Sequence, residues 1–209
     1  MAEEAEAAGC DAVVAYHPPI FDAVKRLTAG SVVFDAIRRG VAIYSPHTAL
    51  DVVDGGTNDM LADALGLTER EPLRLLASAD GGGIGRIGVL PTASTRAELI
   101  TRVKSELGVG AVLVAGPLDG VLTRAAVCAG AGRGLLDDAI KQKADLFLTG
   151  ELPHHDALKA AAAGMTVVCV LHSNSERAAL RRLKARIEEA AEGVDVVLSE
   201  VDRDPYTVS

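Results

Sequence analysis

His172-Ser-Asn-Ser-Glu176 sets an imidazole and a carboxylate four residues apart. If a helix begins there, both side chains lie on one face. They then make a mixed nitrogen–oxygen pair suited to Zn, Mn, Fe or Ni. Spacing alone equally allows a plain helix start, capped by Ser173 or Ser175, with Glu176 favoured by the helix dipole. His47-Thr-Ala-Leu-Asp51 repeats the spacing. Asp51 could bridge two metal ions through its two oxygens, with His47 as a ligand or supporting partner, or it could be a loop or capping carboxylate. His17 stands between Tyr16 and the stiff Pro18-Pro19 pair, a good setting for a ligand. The run Thr149-Gly-Glu-Leu-Pro-His-His-Asp156 gathers Glu151, His154 and His155, candidates for general acid–base work or substrate contact. The alternative makes Asp156 a helix cap and the two histidines structural.

The elements that must position these groups alternate between strand and helix. Helix is expected over Glu3–Ala8, then a strand over Ala12–Tyr16 stopped by prolines that lack amide donors. A helix over Ser31–Arg39 closes at Gly40, and the strand Val41–Tyr44 follows. Thr57 or Asn58 caps a helix running to Leu65. The glycine-rich stretch Asp80–Gly88 divides the chain into an N-terminal region, residues 1–80, and a C-terminal region, residues 81–209. Thr95 with Glu98 forms a capping box for a helix to Leu107. Strands are expected at Ala111–Ala115, Arg124–Cys128, Leu146–Leu148, Met165–Leu171 and Val194–Leu198, and helices at Leu135–Lys143, Asp156–Ala163 and Ser175–Ala191. This pattern predicts an α/β protein with mostly parallel or mixed sheets, in two similar subdomains. All five histidines fall at strand ends or in the loops that follow, with none on an exposed helix face. In open α/β sheets ligands bind at that end.

Composition narrows the function classes. The chain has 209 residues, a net charge of −8, 3% aromatic residues and no Trp. Such a chain offers neither a broad phosphate-binding surface nor stacking platforms, which argues against nucleic acid as a partner. Cys10, Cys128 and Cys169 lack CxxC spacing and read as reduced thiols. No apolar stretch is long enough to span a bilayer, and the acidic start is unlike a signal peptide, so a cytoplasmic location is expected. Gly130, Gly132 and Gly134 match a dinucleotide fingerprint poorly, and no P-loop is present. The Arg-rich helix around Arg177–Arg186 reads as a solvated face.

Five segments in order resemble the NGG-interacting factor 3-like family of dinuclear metal-centre proteins, often labelled GTP cyclohydrolase 1 type 2. They are Tyr16–Phe21, Tyr44–Asp51, Gly85-Arg-Ile-Gly88, Thr149–Glu151 with His154–Asp156, and His172–Arg177; Leu198–Pro205 is similar to the family's end. The resemblance covers nearly the whole chain. It implies two α/β subdomains facing across a metal-containing cleft, assembled as a toroidal homohexamer. It implies two divalent metal ions of unassigned identity held by His17, Asp51, His172 and Glu176, with His47 in a lesser role, and the Glu151–His154–His155 loop beside them. Tyr16 stands where many members carry a first histidine of a His-His pair. The N-terminus is expected to be truncated relative to the family, and Leu90–Val114 leaves no room for an inserted middle domain. The implied activity is metal-dependent hydrolysis of a nucleotide or related small molecule; the other function considered is a non-enzymatic metal-binding or regulatory protein.

Overall fold

A computed structural model describes residues 1–77 and 82–207. The backbone forms two compact units, each built from separated stretches of chain. The first comprises Met1–Leu50 with Leu183–Arg203, and the second comprises Asp51–Arg182 with the segment from Asp204 onward. The expected division between residues 80 and 81 lies outside the described residues.

The first unit holds α1 (Ala2–Ala7), β1 (Ala12–Val14), α2 (Val32–Arg39) and β2 (Ala42–Tyr44). β1 and β2 pair in parallel, with Ala12 opposite Ala42 and Val14 opposite Tyr44. Helix α2 has the ends its sequence predicts. The Ser31 side chain accepts the Phe34 amide at 3.3 Å, and Gly40 closes the helix at φ +68°. The turn after β1 begins two residues earlier than the Pro-Pro pair required. The expected strand at 194–198 does not form.

α3 (Thr48–Val52) carries the chain across the boundary between the units. The second unit continues with α4 (Thr57–Leu65), β3 (Thr68–Leu75), β4 (Gly83–Thr95), α5 (Arg96–Leu107) and β5 (Leu113–Ala115). Then come β6 (Val121–Ala131), a 3-10 turn (Gly132–Leu135), α6 (Leu136–Lys141), β7 (Leu146–Glu151), α7 (His154–Ala162), β8 (Thr166–Cys169) and α8 (His172–Ala190). The strands form one mixed sheet in the order β3-β4-β6-β7-β8-β5. β6, β7 and β8 run parallel at its centre and the remaining pairings are antiparallel.

Parallel strands buried on both faces read as continuous apolar runs, and alternate residues here enter opposite layers. Ala125, Val127, Leu146, Leu148 and Val168 join Leu61, Leu65, Leu99 and Val103 of α4 and α5. Ala126, Cys128, Phe147 and Val167 join Leu136, Ala139 and Ala160 of α6 and α7. The fold is therefore α/β with a mixed sheet covered on both faces. Among the described residues no helix is long and apolar enough to cross a membrane.

Several element boundaries differ from expectation. β3 and β4 were hidden because β3 is polar, with Pro72 in an edge strand, and β4 is glycine-rich. Gly88 is needed there for close approach, since a Cβ would meet the Thr68 carbonyl oxygen at 2.6 Å. The N-cap of α4 is Gly56, and Thr57 and Asn58 are buried inside the helix. α5 keeps its capping box, with Thr95 and Glu98 bonded reciprocally.

Candidate metal centre

The carboxyl ends of β6, β7 and β8 place three pieces of a site side by side. β6 ends at Gly130-Ala131, β7 ends at Glu151 opposite Ala131, and β8 leads through Leu171 into His172. Leu171 has φ +73°, the left-handed region that costs a non-glycine residue roughly 1–3 kcal/mol. That turn starts α8 at His172, three residues before the expected Ser175, so His172 and Glu176 share the first turns of one helix.

The His172 Nε2 lies 3.1 Å from Glu176 Oε1, and its Nδ1 lies 2.9 Å from Glu151 Oε1. Glu176 is 5% exposed. Burial pushes its carboxyl up to about 7; His172 opposes that shift, while Asp51 and Glu151 add to it. Space for this pair comes from Gly130, at φ +63°. A Cβ there would stand 2.8 Å from Glu176 Oε1 and 3.2 Å from His172 Nε2. Ser175 braces the same point: its hydroxyl accepts the Gly130 amide at 2.8 Å and donates to the His172 carbonyl at 2.6 Å. Thr149 donates to the Gly130 carbonyl at 3.2 Å.

Asp51 stands on α3, and its backbone is tied to the same sheet end. Asn58, 1% exposed, donates from Nδ2 to the Asp51 carbonyl at 2.9 Å and accepts the Ala129 amide at 2.9 Å. Arg86 holds the turn that follows. Its guanidinium forms two bonds to Asp59, at 2.9 and 3.2 Å, and reaches the Val52 carbonyl at 3.4 Å, while Asp59 accepts the Gly55 amide at 2.8 Å. Asn58 carried no more than a capping expectation, and Gly130 was weighed as a poor nucleotide fingerprint. Their contacts run between residues far apart in sequence, and no local pattern marks them. The Gly85-Arg-Ile-Gly88 segment was the only available signal for Arg86.

In the first unit His17 and His47 come together, their ring centroids 5.4 Å apart, beside the buried Tyr16. The Tyr16 carbonyl accepts the His47 amide at 3.1 Å and the Ser45 hydroxyl at 2.8 Å, which locks the two turns together. His154 and His155 differ from expectation. They are the first two residues of α7 and exposed, rather than loop residues. The physical reason is that Asp156 enters the first helical turn, where a carboxylate is favoured, and pairs with Arg133 at 3.2 Å instead of capping. The expectation that no histidine lies on an exposed helix face therefore fails at these two.

The donor set suits a divalent cation. One imidazole nitrogen and a buried carboxylate oxygen face each other across a gap that a glycine keeps open. Asp51 and Glu151 add negative charge that a cation would neutralise.

A family model described as Duf34/NIF3 (NGG1p interacting factor 3) matches residues 1–205. The chain belongs to the Duf34/NIF3 family. Among the relatives of this Duf34/NIF3 chain is the NGG1-interacting factor 3 of Saccharomyces cerevisiae, 34% identical over 100% of this chain and 78% of the relative. A GTP cyclohydrolase 1 type 2 homolog of Clostridium perfringens is 30% identical over 98% of this chain and 80% of its own length. The crystal structure of a Bacillus cereus protein related to NIF3 superposes with a TM-score of 0.87 at 21% identity, covering 100% of this chain and 86% of that one. At that identity the likeness concerns the Duf34/NIF3 fold alone.

Proposed function

We propose that this protein binds two divalent metal ions and is a metal-dependent hydrolase acting on a nucleotide or related small molecule. The ligands proposed are Asp51, His172 and Glu176 of the second unit with His17 of the first, and His47 as an additional or supporting ligand. The observation that carries this reading is the His172–Glu176 pair, 3.1 Å apart in the space left by Gly130, with its carboxyl buried among other acids. Zn, Mn, Fe or Ni suits such a donor set.

A divalent cation held there would supply Lewis acidity and a water of lowered pKa. The protein's own role is to hold the ligands rigid and to offer proton-transferring groups. His154 and His155, exposed where α7 follows β7, are proposed as substrate contacts or general acid–base groups. A nucleotide substrate is supported by relatives named GTP cyclohydrolase 1 type 2 homolog. We further propose a cytoplasmic location, in keeping with three free cysteines, and assembly as a homohexamer.

The test is elemental analysis of the native protein beside His172→Ala and Asp51→Ala. Wild type is expected to carry about two metal ions per chain, the number of a bridged hydrolytic site, and each variant less. Unchanged metal content in both variants would sink the reading. A relative named as an interacting factor favours a second reading, a metal-binding regulator without turnover. GTP and a phosphoester panel assayed with Zn, Mn and Fe separate the two: metal bound without hydrolysis of any substrate supports the regulator.

A further inference from the structure

The 3-10 turn that follows β6 carries Arg133 between Gly132 and Gly134. Its backbone is held against β7: a Cβ on Gly132 would stand 2.8 Å from Thr149 Cβ and 2.9 Å from a Phe147 ring carbon. From that fixed base the Arg133 side chain runs out to solvent and is 73% exposed. Its Nε has one partner, Oδ2 of Asp156 in the first turn of α7, at 3.2 Å. That oxygen is shut off from solvent and accepts no hydrogen bond among the described residues, so the Arg133 guanidinium is the cation set against it. Among the described residues nothing engages the two terminal nitrogens of Arg133. The neighbouring acids are already paired, Asp138 with Arg74 and Asp137 with Lys159. A planar guanidinium tied by its Nε and open at its far end is shaped to take two oxygens of one anion.

We infer that Arg133 is a specificity-determining residue, whose terminal nitrogens take the phosphate group of the substrate while Asp156 aims them. This inference rests on the nucleotide reading proposed above and deepens it, since it makes the substrate a phosphate ester. Arg133 lies three residues past Gly130, over which His172 and Glu176 meet. Even fully extended, that length of chain spans at most about 11 Å, so a phosphate on Arg133 keeps the rest of the molecule near the metal pair. One arginine serves one phosphate group, which suits an acidic chain without a broad phosphate-binding surface. Asp156 also ties the guanidinium to the start of α7, where His154 and His155 are exposed. The groups proposed for substrate contact thus stand on the element that aims the arginine.

The test measures GMP and guanosine binding by isothermal titration calorimetry on the protein as purified, for wild type, Arg133→Ala and Arg133→Lys. Metal content and the urea midpoint are recorded for each. Wild type is expected to bind GMP more tightly than guanosine. Arg133→Ala should weaken GMP binding by about 10- to 100-fold, the effect of losing charge-assisted hydrogen bonds, with guanosine affinity and metal content unchanged. Arg133→Lys keeps the charge without the planar fork, and its GMP affinity should fall between the two. Wild-type GMP affinity in Arg133→Ala, equal losses for GMP and guanosine, or no preference for GMP in wild type overturns the subsite while leaving the nucleotide reading standing. If Arg133→Ala does not fold, Arg133→Lys decides, and GMP affinity equal to wild type overturns the subsite. Wild type that binds neither probe overturns the nucleotide reading and the subsite with it.

Discussion

At Gly130 the controlling quantity is space. A methyl group there would sit 2.8 Å from Glu176 Oε1, on a backbone at φ +63°. Gly130→Ala is expected to cost about 1–2 kcal/mol from the left-handed conformation alone, and more if Glu176 cannot move aside. Urea denaturation and a Zn2+ titration together check this, the titration expected to show affinity down by at least about tenfold, as displaced ligands require. Wild-type affinity in that variant would mean the glycine does not shape the site. Glu176 carries a pH dependence whose sign follows from its elevated value. Its carboxyl is raised from 4.5 to about 7 in the folded protein. Between those values the folded state holds a proton that the unfolded state has lost, so stability falls as pH rises toward 7. Metal binding has the opposite slope, because a cation needs the ionised carboxylate. In chelated protein the urea midpoint should therefore drop from pH 5 to pH 7, about the span of the two pKa values, while Zn2+ affinity climbs. Glu176→Gln should flatten the stability slope; an unchanged slope would show that another group sets it.

Among the elements, β4 and α4 matter most to the site although neither supplies a ligand. Arg86 of β4 is 5% exposed and bonded to Asp59 of α4, to the carbonyls of Gly83 and Gly85, and to Val52 just after Asp51. Removing one partner of such a pair leaves a charge with poor solvation, which costs about 3–5 kcal/mol. Arg86→Met should lose stability of that order by urea denaturation, and a loss under about 1 kcal/mol, typical of surface pairs, would refute the buried network. Helices with strong local signals were legible in the sequence: α2 through Ser31 and Gly40, α5 through Thr95 and Glu98. β3 and β4 were not. Their residues suit strands only because β3 pairs with β4 and β6 lies on the other side of β4, and the three glycines of β4 read locally as a breaker. Helices α7 and α8 start two and three residues early for a related reason. Pro153, the N-cap of α7, and the strained Leu171 just before α8 start these helices at positions that the apolar pattern alone does not mark.

For the whole molecule, the prediction concerns assembly. The proposed homohexamer should give a light-scattering mass near six times the 21.6 kDa of one chain, and a monomer mass at micromolar concentration would overturn it. The sequence by itself determined the alternation of strands and helices, the capping box of α5 and the set of residue types able to hold a metal, because each depends on near neighbours along the chain. It also carried the ordered motifs of the Duf34/NIF3 family. Only the tertiary structure decided which groups act together. That residues 183–203 join 1–50 in one compact unit is a through-space fact with no local trace. The same holds for the His172 site. His172 and Glu176 could be paired by counting residues, but the Glu151 carboxylate on Nδ1 and the Asn58 bridge from Asp51 to Ala129 arise from strand register and helix packing. The Gly130 gap has the same origin. Pairings of that kind depend on distances between residues tens of positions apart, and those distances exist only once the sheet has formed.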